Sequence, residues 1–529
     1  MDFEHKAERI RNKIRNYTTE SLLHHLLVRL HGDYDCTARA APWVSCMMLD
    51  WSLELEPIKH ARDASHKEVY NILNEIWNLQ NYAIKIRNNS GILELRPFIL
   101  SQIRFQSDYT KHIYFLLRLK SILCSHSSSE LYRNEFKRTT GLDLNEFFIF
   151  SLFLLSLFGQ NNRFVSYEEL FPKLYPAFSY EKIYTMLTFV GATPVELRKI
   201  IQKLKIGKKF RSEDYFSEPL TINKPILILP EGISTPNIYI ACIGISEMVM
   251  RSLKNHSSNF KNKFTLDYEK YVSELLIDFQ LRFISEFDIK DFYKKNDILN
   301  SKSVDFIIVE NDKNIYLDAK GTEPTQRILT STNPKEIKER LSNSYLKGIL
   351  QACDCSDILF KNNHSISARY ENRYALIVTH QDYYLGDGIS LVEYLGNEYG
   401  YKVTNSCYNK IPIENIHFIS IEDFESLLLL CSRDKKLIHE FLDFCIESNK
   451  DPRNKKFTMK QHIESFSESI NSKFDYPVGY DKLVKIGENL FDELDMLIEK
   501  SVKYWNFGGE QRITEWISTI SKFKKQLNC

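Results

Sequence analysis

The chain has 529 residues, of which 43% are hydrophobic and 26% charged, and its formal net charge is +1. This length predicts two to four domains, and the composition is typical of a soluble globular protein. The near-zero net charge excludes a global field that would attract a polyanion, so any contact with nucleic acid needs a local basic surface.

The sequence predicts neither a secretory signal nor a membrane-spanning segment. Residues 1–6 are mostly charged and contain no apolar segment, so we expect no secretory signal. The longest apolar run, 147–158, is interrupted by two serines and is shorter than the roughly 20 residues of a bilayer span, which favours a buried core helix. Ten scattered cysteines indicate reduced thiols in a cytoplasmic protein, and the spacing of Cys353 and Cys355 does not suit a zinc knuckle.

Residues 1–220 are predicted to form a helical N-terminal region, because leucines recur there at helical spacing. One helix has a clear start, with Thr193 as N-cap, proline in the first position and Glu196 closing a capping box. Gly207 is the predicted stop.

That helix runs into the most basic stretch of the chain. Its cationic residues are Arg198, Lys199, Lys203, Lys205, Lys208, Lys209 and Arg211. Lys199, Lys203 and Lys205 are the candidate phosphate contacts, since distributed lysines supply most of the affinity for a nucleic-acid backbone. A solvated helix face with a basic C-terminus is the simpler interpretation.

Residues 221–431 are predicted to form an α/β (α+β) domain with a mixed sheet flanked by helices, because strand-like and helix-like patterns are interspersed. Short apolar runs predict strands at 225–229, 238–241, 304–310, 315–320, 375–379 and 416–420. Helices are expected at 266–276, 336–352 and 424–430. Residues 432–529 should form a helical C-terminal region, with an apolar stripe of Leu490, Phe491, Leu494, Leu497 and Ile498.

The most informative segment is the predicted hairpin formed by 304–310 and 315–320. Its two apolar strands flank a polar turn, and each strand carries an acid where a hydrophobe is expected. If the turn centres between residues 312 and 313, Asp305 faces Lys320, and Asp305, Asp318 and Lys320 project from one face. An apolar set including Val304 then lines the opposite face. Buried carboxylates need a metal, a cation or water, so the pattern predicts a site.

Two carboxylates beside one lysine suit a Mg²⁺ site that acts on a phosphodiester. Mg²⁺ prefers hard oxygen ligands, keeps several waters and takes one or two protein carboxylates. We expect Asp305, Asp318 and the backbone carbonyl of Ala319 to surround one metal position, with Mn²⁺ as a substitute. A strand cap or a cross-strand salt bridge is the structural alternative for these residues.

The order of helix, strand, Asp-bearing strand, Asp-x-Lys strand and helix resembles the restriction-endonuclease-like, or PD-(D/E)XK, nuclease superfamily. The resemblance covers about 265–430, and Val304 stands where that family often has proline. It implies metal-binding and catalytic roles for Asp305, Asp318 and Lys320. Glu269 matches the glutamate of the family's first core helix and is preferred to Glu274. Gln351 matches a glutamine that some members carry in the following helix.

The resemblance implies a Mg²⁺-dependent endonuclease, with DNA favoured as substrate and RNA open. By analogy, it fits a cytoplasmic enzyme of anti-phage defence or restriction, without a membrane partner. The flanking helical regions are expected to select substrate, bind a protein partner or support a homo-oligomer. One alternative keeps the fold as a catalytically inactive module that binds nucleic acid or protein. Another is a structural or regulatory helical protein with an incidental α/β core.

Overall fold

The computed structural model describes residues 2–32, 41–84, 95–103, 105, 109–159, 163–205, 210–256, 259–298, 301–451, 453–473 and 479–527. These residues form a mixed α/β protein in which helices predominate. Two separate sheets are present in the described part of the chain, one of four strands and one of five.

The N-terminal helices are α1 (Phe3–Ile14), α2 (Thr19–His31), α3 (Pro42–Glu54), α4 (His66–Ala83), α5 (Arg96–Ile103), α6 (Tyr109–Ser125), α7 (Ser129–Thr140), α8 (Leu144–Gly159), α9 (Tyr167–Leu174), α10 (Tyr180–Val190) and α11 (Pro194–Lys205). The apolar run 147–158 is buried within α8, as predicted for a core helix. The capping box of α11 is confirmed, since Thr193 and Glu196 exchange hydrogen bonds of 2.9 and 3.3 Å. Its predicted stop, Gly207, lies outside the described residues.

The smaller sheet interrupts this helical region. Its strands are β1 (Phe164–Ser166), β2 (Gly191–Ala192), β3 (Ile226–Leu229) and β4 (Gly232–Ser234), in the order β1-β4-β3-β2. The predicted strand at 225–229 is therefore confirmed. The sheet joins segments on both sides of residue 220, so the chain does not change structural unit abruptly there.

The later helices are α12 (Ile238–His256), α13 (Phe260–Asp278), α14 (Glu286–Lys295), α15 (Gln326–Thr330), α16 (Pro334–Leu341), α17 (Tyr345–Lys361), α18 (Gly388–Cys407), α19 (Ile421–Asp434), α20 (Ile438–Lys450), α21 (Met459–Ser469), α22 (Asp481–Asn506) and α23 (Gly509–Leu527). The larger sheet contains β5 (Phe283–Ser285), β6 (Phe306–Glu310), β7 (Lys313–Lys320), β8 (Arg373–Thr379) and β9 (Ile416–Ser420). The order is β5-β6-β7-β8-β9, antiparallel from β5 to β7 and parallel from β7 to β9.

Two element predictions and one residue of the predicted C-terminal stripe were wrong. Residues 238–241 begin α12 instead of a strand, because Asn237 caps the backbone N–H of Tyr239 at 2.9 Å and a long buried apolar pattern follows at helical spacing. The predicted helix 336–352 is divided into α16 and α17 at a Ser-Asn-Ser segment, where Ser342 bonds back to the Lys338 carbonyl at 2.7 Å. In the C-terminal stripe, Phe491 is exposed whereas its neighbour Leu490 is buried.

Three apolar cores hold these elements together. One lies among α1–α4 and α11, and a second lies between α17, α18 and one face of the larger sheet. The largest core joins the other face of that sheet to α6–α8, α12, α13 and the C-terminal helices. Helix α22 packs on α6, α8 and α9, so the C-terminal helices complete the N-terminal half of the molecule.

Candidate active site

A tight hairpin places the acidic residues of β6 and β7. Glu310 pairs with Lys313 and Phe306 with Leu317, around a two-residue turn whose Asn311 has a φ of +53°. Continued by one residue, this register sets Asp305 opposite Asp318, not opposite Lys320 as predicted. The shift is two residues, and since side chains alternate with a period of two, the residues stay on one face.

The two faces of the hairpin belong to different cores. Phe306 and Leu317 pack on the α13 side, whereas Ile307 and Tyr316 pack on the α17 side. Asp318 is two residues from Tyr316 and shares the α17 side. Val304 also packs in the α17 core, which corrects its predicted place on the other face, because it lies before β6 begins.

Asp318 is the most deeply buried acid of the hairpin, with no exposed surface. Lys320 Nζ donates a 2.8 Å hydrogen bond to Oδ1. The same ammonium lies 2.6 Å from Oδ2, but without hydrogen-bonding geometry, so Oδ2 has no hydrogen-bond partner. Asp318 is therefore ion-paired with Lys320, and its Oδ2 can still accept a hydrogen bond or bind a cation.

Close approach of α17 to this carboxylate depends on Gly348. A Cβ atom at that position would lie 2.5 Å from Asp318 Oδ2 and 2.8 Å from the Ile377 side chain. Gly348 was not among the site residues predicted from the sequence. A glycine inside an otherwise amphipathic helix was the available signal, since such a glycine often marks close packing.

Asp305 lies where β6 begins and is tied to the adjacent strand. Its Oδ2 accepts the backbone N–H of Ala319 at 2.7 Å. Burial raises the pKa of Asp305 well above its usual range, and the negative charges of Asp318 and Glu269 raise it further. Lys320 and the Ala319 N–H oppose that shift without cancelling it. The predicted role of the Ala319 carbonyl stays a prediction.

Glu269 reaches this cluster from α13. The side chain is half-buried, and burial raises its pKa to about 7. Lys320 lowers that pKa, while Glu286 and Asp318 raise it, so Glu269 lies within electrostatic range of the hairpin residues. Glu274 faces other partners, because it accepts from His126 at 3.2 Å and Lys482 at 2.7 Å.

Gln351 connects the lysine to the chain before β6. Its Oε1 lies 3.3 Å from Lys320 Nζ, and its Nε2 donates to the Ser303 carbonyl at 2.8 Å. Ser303 in turn donates to Glu286 at 2.9 Å. Glu286, at the start of α14, was also missed, since nothing in its local sequence separates it from an ordinary first-turn acid.

The basic helix α11 lies elsewhere. It packs on α3 and the smaller sheet, where Lys205 binds Glu54 at 2.7 Å. Lys199 and Lys203 are exposed. Lys208 and Lys209 lie outside the described residues. The three candidate lysines are therefore not brought to the hairpin, and Lys205 has a structural partner.

The donor set at the hairpin suits a hard divalent cation. Asp305 and Asp318 supply carboxylate oxygens at the hairpin, where Asp318 is paired with the Lys320 ammonium, and Glu269 lies within electrostatic range of them. Burial is the largest cause of the raised pKa values of Asp305 and Glu269, and neighbouring carboxylates raise both further. In the described residues, no three His, Cys, Asp or Glu side chains already converge on one point. A Mg²⁺ ion held by one or two carboxylates and several waters is compatible with that spacing.

No single helix in the described ranges is long and apolar enough to cross a membrane. Helices α7 and α8, which are bent by 72° relative to each other, would be long and apolar enough only as a pair.

Neither a family model, nor a curated protein, nor a solved structure matches this chain. Inference about function therefore depends on the hairpin and its surroundings.

Proposed function

We propose that the protein is a Mg²⁺-dependent nuclease that hydrolyses phosphodiester bonds at the β6–β7 hairpin. The observation that supports this most is the under-neutralised cluster of Asp305, Asp318 and Glu269 around Lys320. Structural ion pairs bring charges close to balance, whereas clustered carboxylates with raised pKa values are typical of functional sites.

In the proposed mechanism, Asp305 and Asp318 would hold the ion at the hairpin end. When bound, Mg²⁺ would lower the pKa of a water and neutralise charge on the phosphate. Lys320 stabilises negative charge on the reacting phosphate and orients the water, and Gln351 positions the Lys320 ammonium. Glu269, with a pKa of about 7, can accept a proton or bind the ion near neutral pH.

The proposed substrate is DNA, with RNA as the alternative to be separated by assay. This preference follows from the PD-(D/E)XK resemblance. A role in bacterial anti-phage defence or restriction and a cytoplasmic location belong to the same proposal. The helices outside residues 221–431 are proposed to select substrate or to bind a protein partner or a second copy.

The test is cleavage of duplex DNA, single-stranded DNA and tRNA by the full chain, with Mg²⁺, with Mn²⁺ and with a chelator. Asp318→Asn is the matched inactive variant, and Asp492→Asn on the exposed face of α22 controls for loss of an acid. We expect metal-dependent cleavage by the wild type and by Asp492→Asn only. Equal cleavage by Asp318→Asn contradicts the proposal, and metal-independent binding without cleavage favours the binding module.

A further inference from the structure

A second cluster of polar side chains surrounds a small cavity at the edge strand β9. The cavity lies between β9, α18, α20 and α21, and its volume is about 20 Å³. That volume holds one water or one metal ion. The side chains that concern us are His417, His462, Asn449, Asp387 and Ser390.

These residues concentrate unsatisfied hydrogen-bonding groups. Among the described residues, nineteen buried side-chain nitrogen and oxygen atoms have no hydrogen-bond partner. Four of them belong to this one cavity lining, namely both ring nitrogens of His417, Nδ1 of His462 and Oδ1 of Asn449. A buried polar group without a partner is costly, so such clustering points to a site that binds an ion or a water.

Both histidines are almost fully enclosed by the protein. His417 and His462 are 1% and 4% exposed. A neutral imidazole ring has a nitrogen lone pair that can bind a cation.

Hydrogen bonds around Asp387 orient the side-chain amide of Asn449. Asp387 caps α18 by accepting the Ser390 backbone N–H at 2.8 Å. Its other oxygen accepts Nδ2 of Asn449 at 2.9 Å. Because the amide nitrogen is engaged there, the carbonyl oxygen of Asn449 is the unpartnered end.

The unpartnered atoms can offer lone pairs to a cation. Asn449 Oδ1 is an acceptor, and each neutral imidazole has one nitrogen lone pair.

We propose that His417, His462 and Asn449 hold one divalent transition-metal ion of the zinc class. Imidazole nitrogen with a carbonyl oxygen suits Zn²⁺ far better than Mg²⁺, and water completes the coordination. With only two histidines and an amide, the set does not require three His, Cys, Asp or Glu side chains to converge. The ion fastens α20 and α21 to the edge strand β9 of the larger sheet, independently of nuclease activity.

The test uses the full chain, stripped with a chelator and dialysed against Zn²⁺ or Co²⁺ in excess Mg²⁺. We expect one equivalent of Zn²⁺ per chain and a higher unfolding temperature with Zn²⁺ than with chelator. Binding should be lost in His417→Leu and His462→Leu. It should be kept in Asp318→Asn, which alters the hairpin, and in His60→Leu, which removes an exposed histidine.

Zinc-edge X-ray absorption on the wild type keeps the proposal falsifiable if the histidine variants do not fold. Two imidazole ligands with oxygen neighbours are expected. Absence of stoichiometric Zn²⁺, a ligand shell without imidazole, or full Zn²⁺ binding by a folded His417→Leu variant overturns the proposal. Mg²⁺-dependent cleavage is measured separately, so failure of either proposal can be recognised without the other.

Discussion

Two regions of the molecule bury charge next to α13, and they do so in opposite ways. On one side, Arg118 and Glu425 form a two-pronged ion pair, with Nε–Oε1 and Nη2–Oε2 distances of 2.7 and 2.6 Å. Tyr271 of α13 adds a 2.6 Å hydrogen bond to the same carboxylate. Both ion-pair side chains are at most 4% exposed, and their charges cancel.

On the other side, Glu269 of the same helix joins Asp305 and Asp318 around Lys320. Burial raises the pKa values of Asp305 and Glu269 most, and the negative charges of neighbouring carboxylates raise them further. Glu269 and Tyr271 are only two residues apart, so one helix serves both regions. Both regions are buried, and the hairpin differs in that carboxylates lie close to one another there, which is typical of functional sites.

The largest effects are expected at the hairpin. Asp318→Ala or Lys320→Ala should abolish cleavage while leaving nucleic-acid affinity nearly intact, because affinity comes from distributed phosphate contacts. A loss of at least about 10²–10³-fold is expected from removing one transition-state contact. Paired gel-shift and cleavage assays check this, with the isosteric Asp318→Asn as a folding control. Undiminished cleavage by Asp318→Ala refutes the mechanism.

The balanced region should respond in stability instead. Arg118→Ala leaves Glu425 buried and unpaired, which costs about 3–5 kcal/mol of unfolding free energy. Chemical denaturation measures the loss, and cleavage per folded molecule at low temperature should be unchanged. A variant as stable as the wild type, or one that is folded but inactive, contradicts the assignment of a structural role.

Gly348→Ala should disturb the hairpin site without changing any charge. The added Cβ meets Asp318 Oδ2 at 2.5 Å, so the carboxylate has to move. Displacements of about 1 Å at a reacting centre cost up to about 10²-fold in rate. Cleavage rate and Mg²⁺ affinity should both fall, whereas Gly487→Ala, whose Cβ would meet Leu117 at 3.1 Å, should leave them unchanged.

Glu269→Gln tests the raised pKa. In the folded protein the pKa of Glu269 is about 7, above its ordinary value of 4.5. Protonation of Glu269 therefore stabilises the fold fully below about pH 4.5, and this stabilisation is lost as the pH rises through 7. Without Mg²⁺, the variant should lose less stability than wild type between pH 5 and 8. Wild-type Mg²⁺ affinity should rise by up to about tenfold per pH unit below 7. Calorimetry measures both, and identical pH profiles contradict the assignment.

The smallest effects are expected on α11. Replacing Lys199 and Lys203 with glutamine should weaken nucleic-acid binding only a few-fold and flatten its salt dependence, if this exposed face contacts phosphate. Lys205→Gln should reduce stability instead, because its ammonium binds Glu54. If the salt dependence of nucleic-acid binding is unchanged in the double variant, α11 is a solvated helix face that does not contact phosphate.

The central elements were predictable because their patterns are local. Alternating and continuous apolar runs located β6, β7, β8 and β9, and the capping pattern at Thr193 located α11. Side-chain alternation also placed Asp305, Asp318 and Lys320 on one face, and a register error of two residues did not alter that result. The start of α12 was misjudged, because β-branched residues fit strand and buried helix equally well over so short a segment.

The hairpin, its acids and the helices on either side could be predicted from the sequence. They depend on apolar patterns that repeat every two residues in strands and every 3.6 residues in helices, along one stretch of chain. Which distant residues meet depends on the tertiary structure. Gly348 faces Asp318, Glu54 engages Lys205, and His417 lies near His462, across separations of 30 to 151 residues. Contacts of this kind depend on how whole helices pack against the sheet, and no local pattern records them.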